Sequence, residues 1–241
     1  MRSRRLLSGK KADAFGAVII FLCCSTGVFA DGHKTIVLDP GHSAGSRGTQ
    51  SCSGRSEYLF NEELVQSIAG SLRRRQTIVL ETRVSGEYLN NHQRAAKYPN
   101  ADLFVSIHHD SAQPQYIKNV KTSQGVGYCS DKFHGFSLFV SAQNRQYERS
   151  LFFAKKLADA LLARGYRPTP HHAEDIPGER RKLLDPTRGI YQRDDLTVLK
   201  ENSLPAVLFE AGVIINPEDE RLVRTPKFRE DVAESFLELL R

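Results

Sequence analysis

The sequence has no apolar run long enough to cross a membrane, no internal repeat, no low-complexity tract and no cysteine spacing of the thiolate metal-binding kind. Each absence removes a class of protein. The one strongly apolar stretch, residues 14–24, falls short of the roughly 20 residues a spanning helix needs. It lies behind Arg2, Arg4, Arg5, Lys10 and Lys11 and ahead of Val28-Phe29-Ala30, small or apolar residues at the positions a signal peptidase reads. A basic region, a hydrophobic region and a cleavage site in that order predict a signal peptide over residues 1–30. The expectation is an exported chain with no stable membrane anchor after processing. Phe21 and Leu22 are bulky where lipid-attachment signals carry small residues, which disfavours anchorage through Cys23.

A concentrated basic charge is also missing. Residues 1–30 carry five Lys/Arg and one acid, Asp13, so setting them aside lowers the formal charge from +6 to +2. Nucleic acid is therefore not an expected partner, because such binding needs a dense basic face. Of four cysteines, Cys52 and Cys129 remain after the leader. An even pair in an exported chain predicts one intramolecular disulfide.

What is present from residue 31 to 241 suits a single α/β domain. Residues 34–39 form a β-branched run stopped by Pro40-Gly41, a buried strand ending in a turn. Phe60, Leu64, Ile68 and Leu72 recur at helical spacing, with Ser56 as the expected cap. Residues 77–82, 103–107, 136–140 and 205–209 read as further strands. A short helix is expected over 89–98, and a longer one through Leu151, Ala154, Ala158 and Leu161 that stops at Gly165. A last helix starts at Thr225-Pro226 and carries Phe228, Val232, Phe236 and Leu240 on one face. This alternation predicts a mostly parallel or mixed twisted sheet with helices on both faces. Residues 168–187, rich in Pro, Gly and charge, read as a long inserted surface loop.

Candidate chemistry sits at the strand ends, where open α/β sheets bind ligands. His42 follows the first strand, Glu57 opens the first helix, His108 ends the third strand and Glu210 follows the 205–209 strand. Two imidazoles and one carboxylate suit Zn²⁺ with a position left open for water, and a further carboxylate can carry the water's proton. Spacing alone leaves alternatives. His42 could be a turn residue, and Glu57 could serve the helix dipole. Glu62 or Glu63 could compete as ligand, and Glu210 could be a salt-bridge partner. His108 and His109 point to opposite faces if the strand runs through both, so at most one of them faces the cleft.

Taken together, the segments Val37-Leu38-Asp39-Pro40-Gly41-His42, Glu57 with Asn61, Thr82-Arg83, Arg94 with Ala101-Asp102, and Ser106-Ile107-His108 resemble an ordered family pattern. The run from Pro205 through Glu210 and Gly212 to Asn216-Pro217-Glu218-Asp219-Glu220 completes it. The family is that of the zinc-dependent N-acetylmuramoyl-L-alanine amidases of the type often called amidase 3. The resemblance spans about residues 35–241. It implies that His42, Glu57 and His108 bind zinc and that Glu210 is the catalytic carboxylate. The implied reaction is hydrolysis of the amide between N-acetylmuramic acid and L-alanine in peptidoglycan, in the periplasm or, failing that, at the secreted cell-wall face.

Arg83, Arg94 and Arg188 are candidates for binding stem-peptide carboxylates, with scaffold salt bridges as their other role. Family members restrain cutting with an inserted segment over the zinc that an activator protein relieves. Here 168–187 would be that segment, offering Glu174, Asp175 or Glu179 to the open metal position. The chain departs from the family at Ser43-Ala44, where Gly-Gly is usual, and at Val213, where an aromatic is usual. The rival readings are a zinc peptidase cutting within the stem peptide and a wall-binding regulator with a degenerate site.

Overall fold

A computed structural model of the chain describes residues 34–83, 87–122 and 125–240. The expected signal peptide, residues 1–30, lies outside them. Strands β1 (Thr35–Pro40), β2 (Ile78–Glu81), β3 (Leu103–Asp110), β4 (Lys118–Thr122), β5 (Gly125–Cys129), β6 (Ser137–Val140), β7 (Lys182–Asp185), β8 (Ile190–Gln192) and β9 (Ala206–Val213) alternate with six helices. These are α1 (Glu57–Arg74), α2 (Asn91–Ala96), α3 (Tyr147–Ala163), α4 (Thr197–Lys200), α5 (Pro217–Val223) and α6 (Pro226–Leu239).

Seven strands form one sheet in the order β2-β1-β3-β9-β6-β8-β7. The run β2-β1-β3-β9 is parallel, as helical crossovers require. β6 runs against β9, and β8 is parallel to β6 while β7 opposes β8, so the sheet is mixed. The reversal has a local cause: the β4–β5 hairpin, not a helix, leads the chain from β3 into β6.

Side-chain alternation along the strands builds two cores. Ile36, Leu38, Val105 and Ile107 pack with Phe60, Leu64, Ile68, Leu157 and Phe236 of α1, α3 and α6. Val37, Phe104 and Leu208 face the other way, against Val198 and Leu199 of α4. Phe236 is fully buried, and its truncation to Ala would cost about 3–5 kcal/mol.

The helix ends show where local signals held. Asn90 and Gln93 form a reciprocal capping box on α2, and the Thr225 hydroxyl accepts from Phe228 N at 3.2 Å at the start of α6. Ser56 does sit at the N-cap of α1, but its hydroxyl makes no capping hydrogen bond.

The 168–187 segment departs from the expected solvated loop. His171 and His172 form a buried short 3₁₀ turn, and Lys182–Asp185 becomes the edge strand β7. Aromatic packing explains the difference: Phe133 stacks on His171 at 4.7 Å, and Phe139 and Tyr191 meet the His172 ring at 4.9 and 5.3 Å.

Candidate metal centre

Three parallel strands end at one place. Gly41 N donates to Ile107 O at 2.8 Å, which carries the β1–β3 ladder one residue past Pro40. His42 then leaves the sheet at φ 60, a left-handed conformation uncommon for a residue with a side chain. His108 lies on β3 directly beside Glu210 of β9 in parallel register. Glu57 opens α1, where Thr49 O accepts its N–H at 2.9 Å.

The Glu57 carboxylate is the hub. Oε2 lies 3.1 Å from His42 Nε2, and Oε1 lies 3.0 Å from His108 Nδ1. The two imidazoles meet edge-on with centroids 4.9 Å apart. One ring nitrogen of each His and one carboxylate oxygen lie within 4.8 Å of one another. Burial alone would raise the Glu57 carboxyl, but the hydrogen bonds and charges of His108 and His42 carry it well below the ordinary range. Burial lowers His108, against the pull of Glu57. An ionised carboxylate and a neutral imidazole are the forms that ligate a cation, so the donor set fits a zinc-class metal.

A layer behind the hub holds it in place. His109 points away from the cleft onto Phe60, and burial lowers it to about 3, so it is neutral. Its Nδ1–H donates to Asn61 Oδ1 at 2.7 Å, which orients the Asn61 amide to donate to Glu57 Oε1 at 3.1 Å and Gly41 O at 3.0 Å. Thr49 N donates to Glu57 Oε2 at 3.1 Å. Gly48, at φ +71, lies so close that a Cβ there would stand 2.3 Å from that oxygen. The competing carboxylates are engaged elsewhere, Glu62 with Arg83 at 2.7 Å and Glu63 with Arg55 and Arg229.

Of the three candidate substrate arginines, Arg94 alone lines the cleft. Its guanidinium is bound to the buried Asp39, with Nε at 2.8 Å from Oδ1 and Nη2 on Oδ2. Thr82 and Ser106 hydroxyls also donate to Asp39, at 2.5 and 2.7 Å. Burial would raise the Asp39 carboxyl, but Arg94 and these hydroxyls lower it. Arg83 is buried and donates to Pro40 O, Gly41 O and Glu62. Arg188 is paired with Asp159 and Asp185. The first two thus brace the Asp39-Pro40-Gly41 turn from behind, because only a cation with several donors can satisfy so many converging carbonyl and carboxylate oxygens.

The cleft beside the hub has a volume of about 590 Å³ and is walled by His42, His108, Glu210, Arg94, Arg193 and the segment before α2. Glu210 Oε2 is buried without a hydrogen-bond partner. Burial, and then the charges of Asp110 and Glu57, push its carboxyl well above the ordinary range. A cavity of similar size, about 630 Å³, lies on the other face beneath α3 and α6. It adjoins no cluster of metal-binding groups among the described residues.

The three carboxylates expected to reach the metal position from 168–187 have other partners. Glu174 pairs with Lys132, Asp175 with Arg180, and Glu179 with His172 and Gln113. The expected disulfide is formed: Cys52 and Cys129 are bonded with Cα atoms 4.6 Å apart, tying the loop between His42 and Glu57 to the end of β5. The buried carboxylate of Glu220 holds the same loop through Ser51 Oγ at 2.7 Å and Ser53 N at 2.9 Å.

The pattern of the N-acetylmuramoyl-L-alanine amidases matches residues 36–241. The chain belongs to this family. It is 27 % identical over 210 residues to the probable cell wall amidase LytH of Staphylococcus saprophyticus, covering 86 % of this chain and 57 % of the relative. The chain thus spans little more than half the length of that relative. It is 25 % identical over 220 residues to the N-acetylmuramoyl-L-alanine amidase AmiA of Escherichia coli, covering 86 % and 75 %. The apo crystal structure of the amidase Ami1 from Mycobacterium abscessus superposes with a TM-score of 0.66 at 26 % identity, covering 86 % of this chain and 96 % of that one. Within this amidase fold, the three residues that carried the ligand positions of the family resemblance are drawn together within 4.8 Å.

One group escaped the reading of the sequence. Asp110, His171 and His172 also bring ligand atoms within 4.8 Å of one another. The adjacent histidines were visible as a doublet, but nothing in their spacing links His172 to Asp110, 62 residues earlier.

Proposed function

We propose that this chain is a peptidoglycan hydrolase that cleaves the amide between N-acetylmuramic acid and L-alanine of the stem peptide, after export to the periplasm or the cell-wall face. The observation that carries the reading is the convergence of His42, ionised Glu57 and His108 beside a cleft that Glu210 lines, with the buried Oε2 of Glu210 lacking a hydrogen-bond partner. His42, Glu57 and His108 would hold zinc. When bound, zinc supplies a Lewis acid that polarises the scissile carbonyl and lowers the pKa of water toward about 7.

The protein's own groups do the rest. Asn61, His109 and Thr49 fix the Glu57 carboxylate so that its oxygens stay aimed at His42 and His108. Glu210 accepts the proton of the attacking water and delivers a proton to the departing α-amine. Burial and the charges of Asp110 and Glu57 raise its carboxyl, which increases its affinity for the proton it takes from water.

Digestion of purified sacculi with and without a chelator, read by mass spectrometry, tests the reading. The expected product is a free stem peptide beginning at L-alanine, formed only without chelator. Fragments cut within the stem would make the chain a peptidase, and no release under either condition would make it a non-catalytic wall-binding protein.

A further inference from the structure

The second cluster is built like a metal site. His171 and His172 are both buried, at 1 % and 7 % exposure, with ring centroids 3.9 Å apart. Each has its Nδ1 taken by an outer partner: His171 Nδ1 lies 2.8 Å from Thr169 Oγ1, and His172 Nδ1 lies 2.9 Å from Glu179 Oε2. Glu179 is itself fixed by Gln113 Nε2 at 2.7 Å. With Nδ1 occupied, both Nε2 atoms turn inward on the same oxygen, Asp110 Oδ2, at 3.5 Å from His171 and 2.6 Å from His172. The other Asp110 oxygen accepts from Ser111 N at 2.8 Å.

An outer partner on the second ring nitrogen, Glu179 on His172 and the Thr169 hydroxyl on His171, is the kind of contact that orients metal-binding histidines. A simple ion-paired cluster accounts for His172, which lies between two carboxylates. It does not account for His171, whose buried Nε2 aims into the cluster and makes no hydrogen bond. Such an orphan is costly, and a cation placed among the three ligand atoms would satisfy it.

We propose that Asp110, His171 and His172 form a second divalent-cation site, distinct from the one at His42, Glu57 and His108. Two imidazoles and one carboxylate select a borderline transition ion such as Zn²⁺ or Co²⁺ over Ca²⁺ or Mg²⁺, which prefer all-oxygen shells. The ion would staple the 168–187 segment to the end of β3. That ties a segment otherwise rich in Pro, Gly and charge to the strand that carries His108.

The test is metal stoichiometry in the full chain, stripped with chelator and titrated with Co²⁺ and then Zn²⁺ against a competing indicator. Wild type should take two equivalents. His42→Ala, which leaves the second cluster untouched, should keep one, and Asp110→Asn should also keep one. Glu179→Gln should keep both but weaken one by about 10–100-fold, the usual effect of losing an outer partner. A His42→Ala protein that binds no metal, or an Asp110→Asn protein that still binds two, would overturn the proposal, and neither result depends on activity. If wild type instead binds one equivalent that His42→Ala keeps and Asp110→Asn loses, the second site stands and the proposed amidase centre falls. His42→Ala changes a partly exposed cleft residue, so its stoichiometry decides the matter even if Asp110→Asn fails to fold.

Discussion

Gly48 offers a way to move Glu57 without touching a ligand. At φ +71, an alanine costs roughly 1–2 kcal/mol in backbone strain alone. Its Cβ would also stand 2.3 Å from Glu57 Oε2 and 2.7 Å from His42 Cδ2. Ordinary contact then requires the carboxylate to retreat by about 1 Å. It has nowhere free to go, since Thr49 N, Asn61 Nδ2, His42 and His108 all hold it. Losing one hydrogen bond to a charged group costs about 1.5–3 kcal/mol, so Gly48→Ala should lose about 2.5–5 kcal/mol in all. Gly54 provides the control, with φ +88 and nothing within 4 Å of an added Cβ. Gly54→Ala should therefore lose only the backbone part, about 1–2 kcal/mol. Urea unfolding of both variants without metal, followed by chelator competition for zinc, reads the two effects apart. Gly48→Ala should also lose at least about tenfold in zinc affinity, in line with disturbing a ligand's supports. Equal stabilities and unchanged affinity in the two variants would refute the placement of Glu57 at the hub.

Two further outcomes follow from the surroundings of the site. Replacing Cys52 and Cys129 together by Ser opens a loop spanning 77 residues and should lower stability by about 2–4 kcal/mol in urea unfolding; no change would mean the loop is held by Glu220 alone. Arg94→Met strands the buried Asp39 carboxylate and should cost about 3–5 kcal/mol at neutral pH. In wild type the Asp39 carboxyl lies below its ordinary 3.8 in the fold, so its contribution is complete above that pH and is lost as pH falls through the lowered folded value. Without Arg94, burial dominates and the carboxyl rises, so acid unfolding should begin at a higher pH; identical acid midpoints would remove Arg94 as the cause.

The parallel half of the sheet could be read directly because β1, β3 and β9 are buried β-branched or apolar runs that end in turns. The start of α6 could be read from Thr225-Pro226, with Pro226 in the first turn, whereas Ser56, the expected cap of α1, sits at the N-cap without capping. The apolar run 136–140 likewise marks β6, but the elements beyond it could not be read. β7 and β8 are four and three residues long, too short for alternation to show, and the β4–β5 hairpin leaves Val126 and Tyr128 exposed at 65 % and 55 %. Residues 168–187 misled by composition: Pro, Gly and charge suggested solvent, whereas a buried pair of imidazoles fastens the segment between aromatic rings. At the site, spacing could not choose between Glu57 and its neighbours Glu62 and Glu63, because helix position fixes direction and not partners. Arg83 and Arg229 answer that question, and both lie far from those residues in sequence.

The measurement closest to the central claim sets metal content beside turnover in Glu210→Gln. Glu210 stands opposite His108 but is not among the three converging ligands, so the variant should retain zinc at the wild-type level of the His42–Glu57–His108 site. The amide matches the carboxyl in size but cannot accept a proton from water, so release of stem peptide from the same sacculi should fall by roughly 10²–10⁴-fold. His42→Ala should instead lose that zinc and the activity together. A Glu210→Gln protein with zinc and undiminished cleavage would contradict the assignment of the proton carrier, and one that lost its zinc would make Glu210 a ligand.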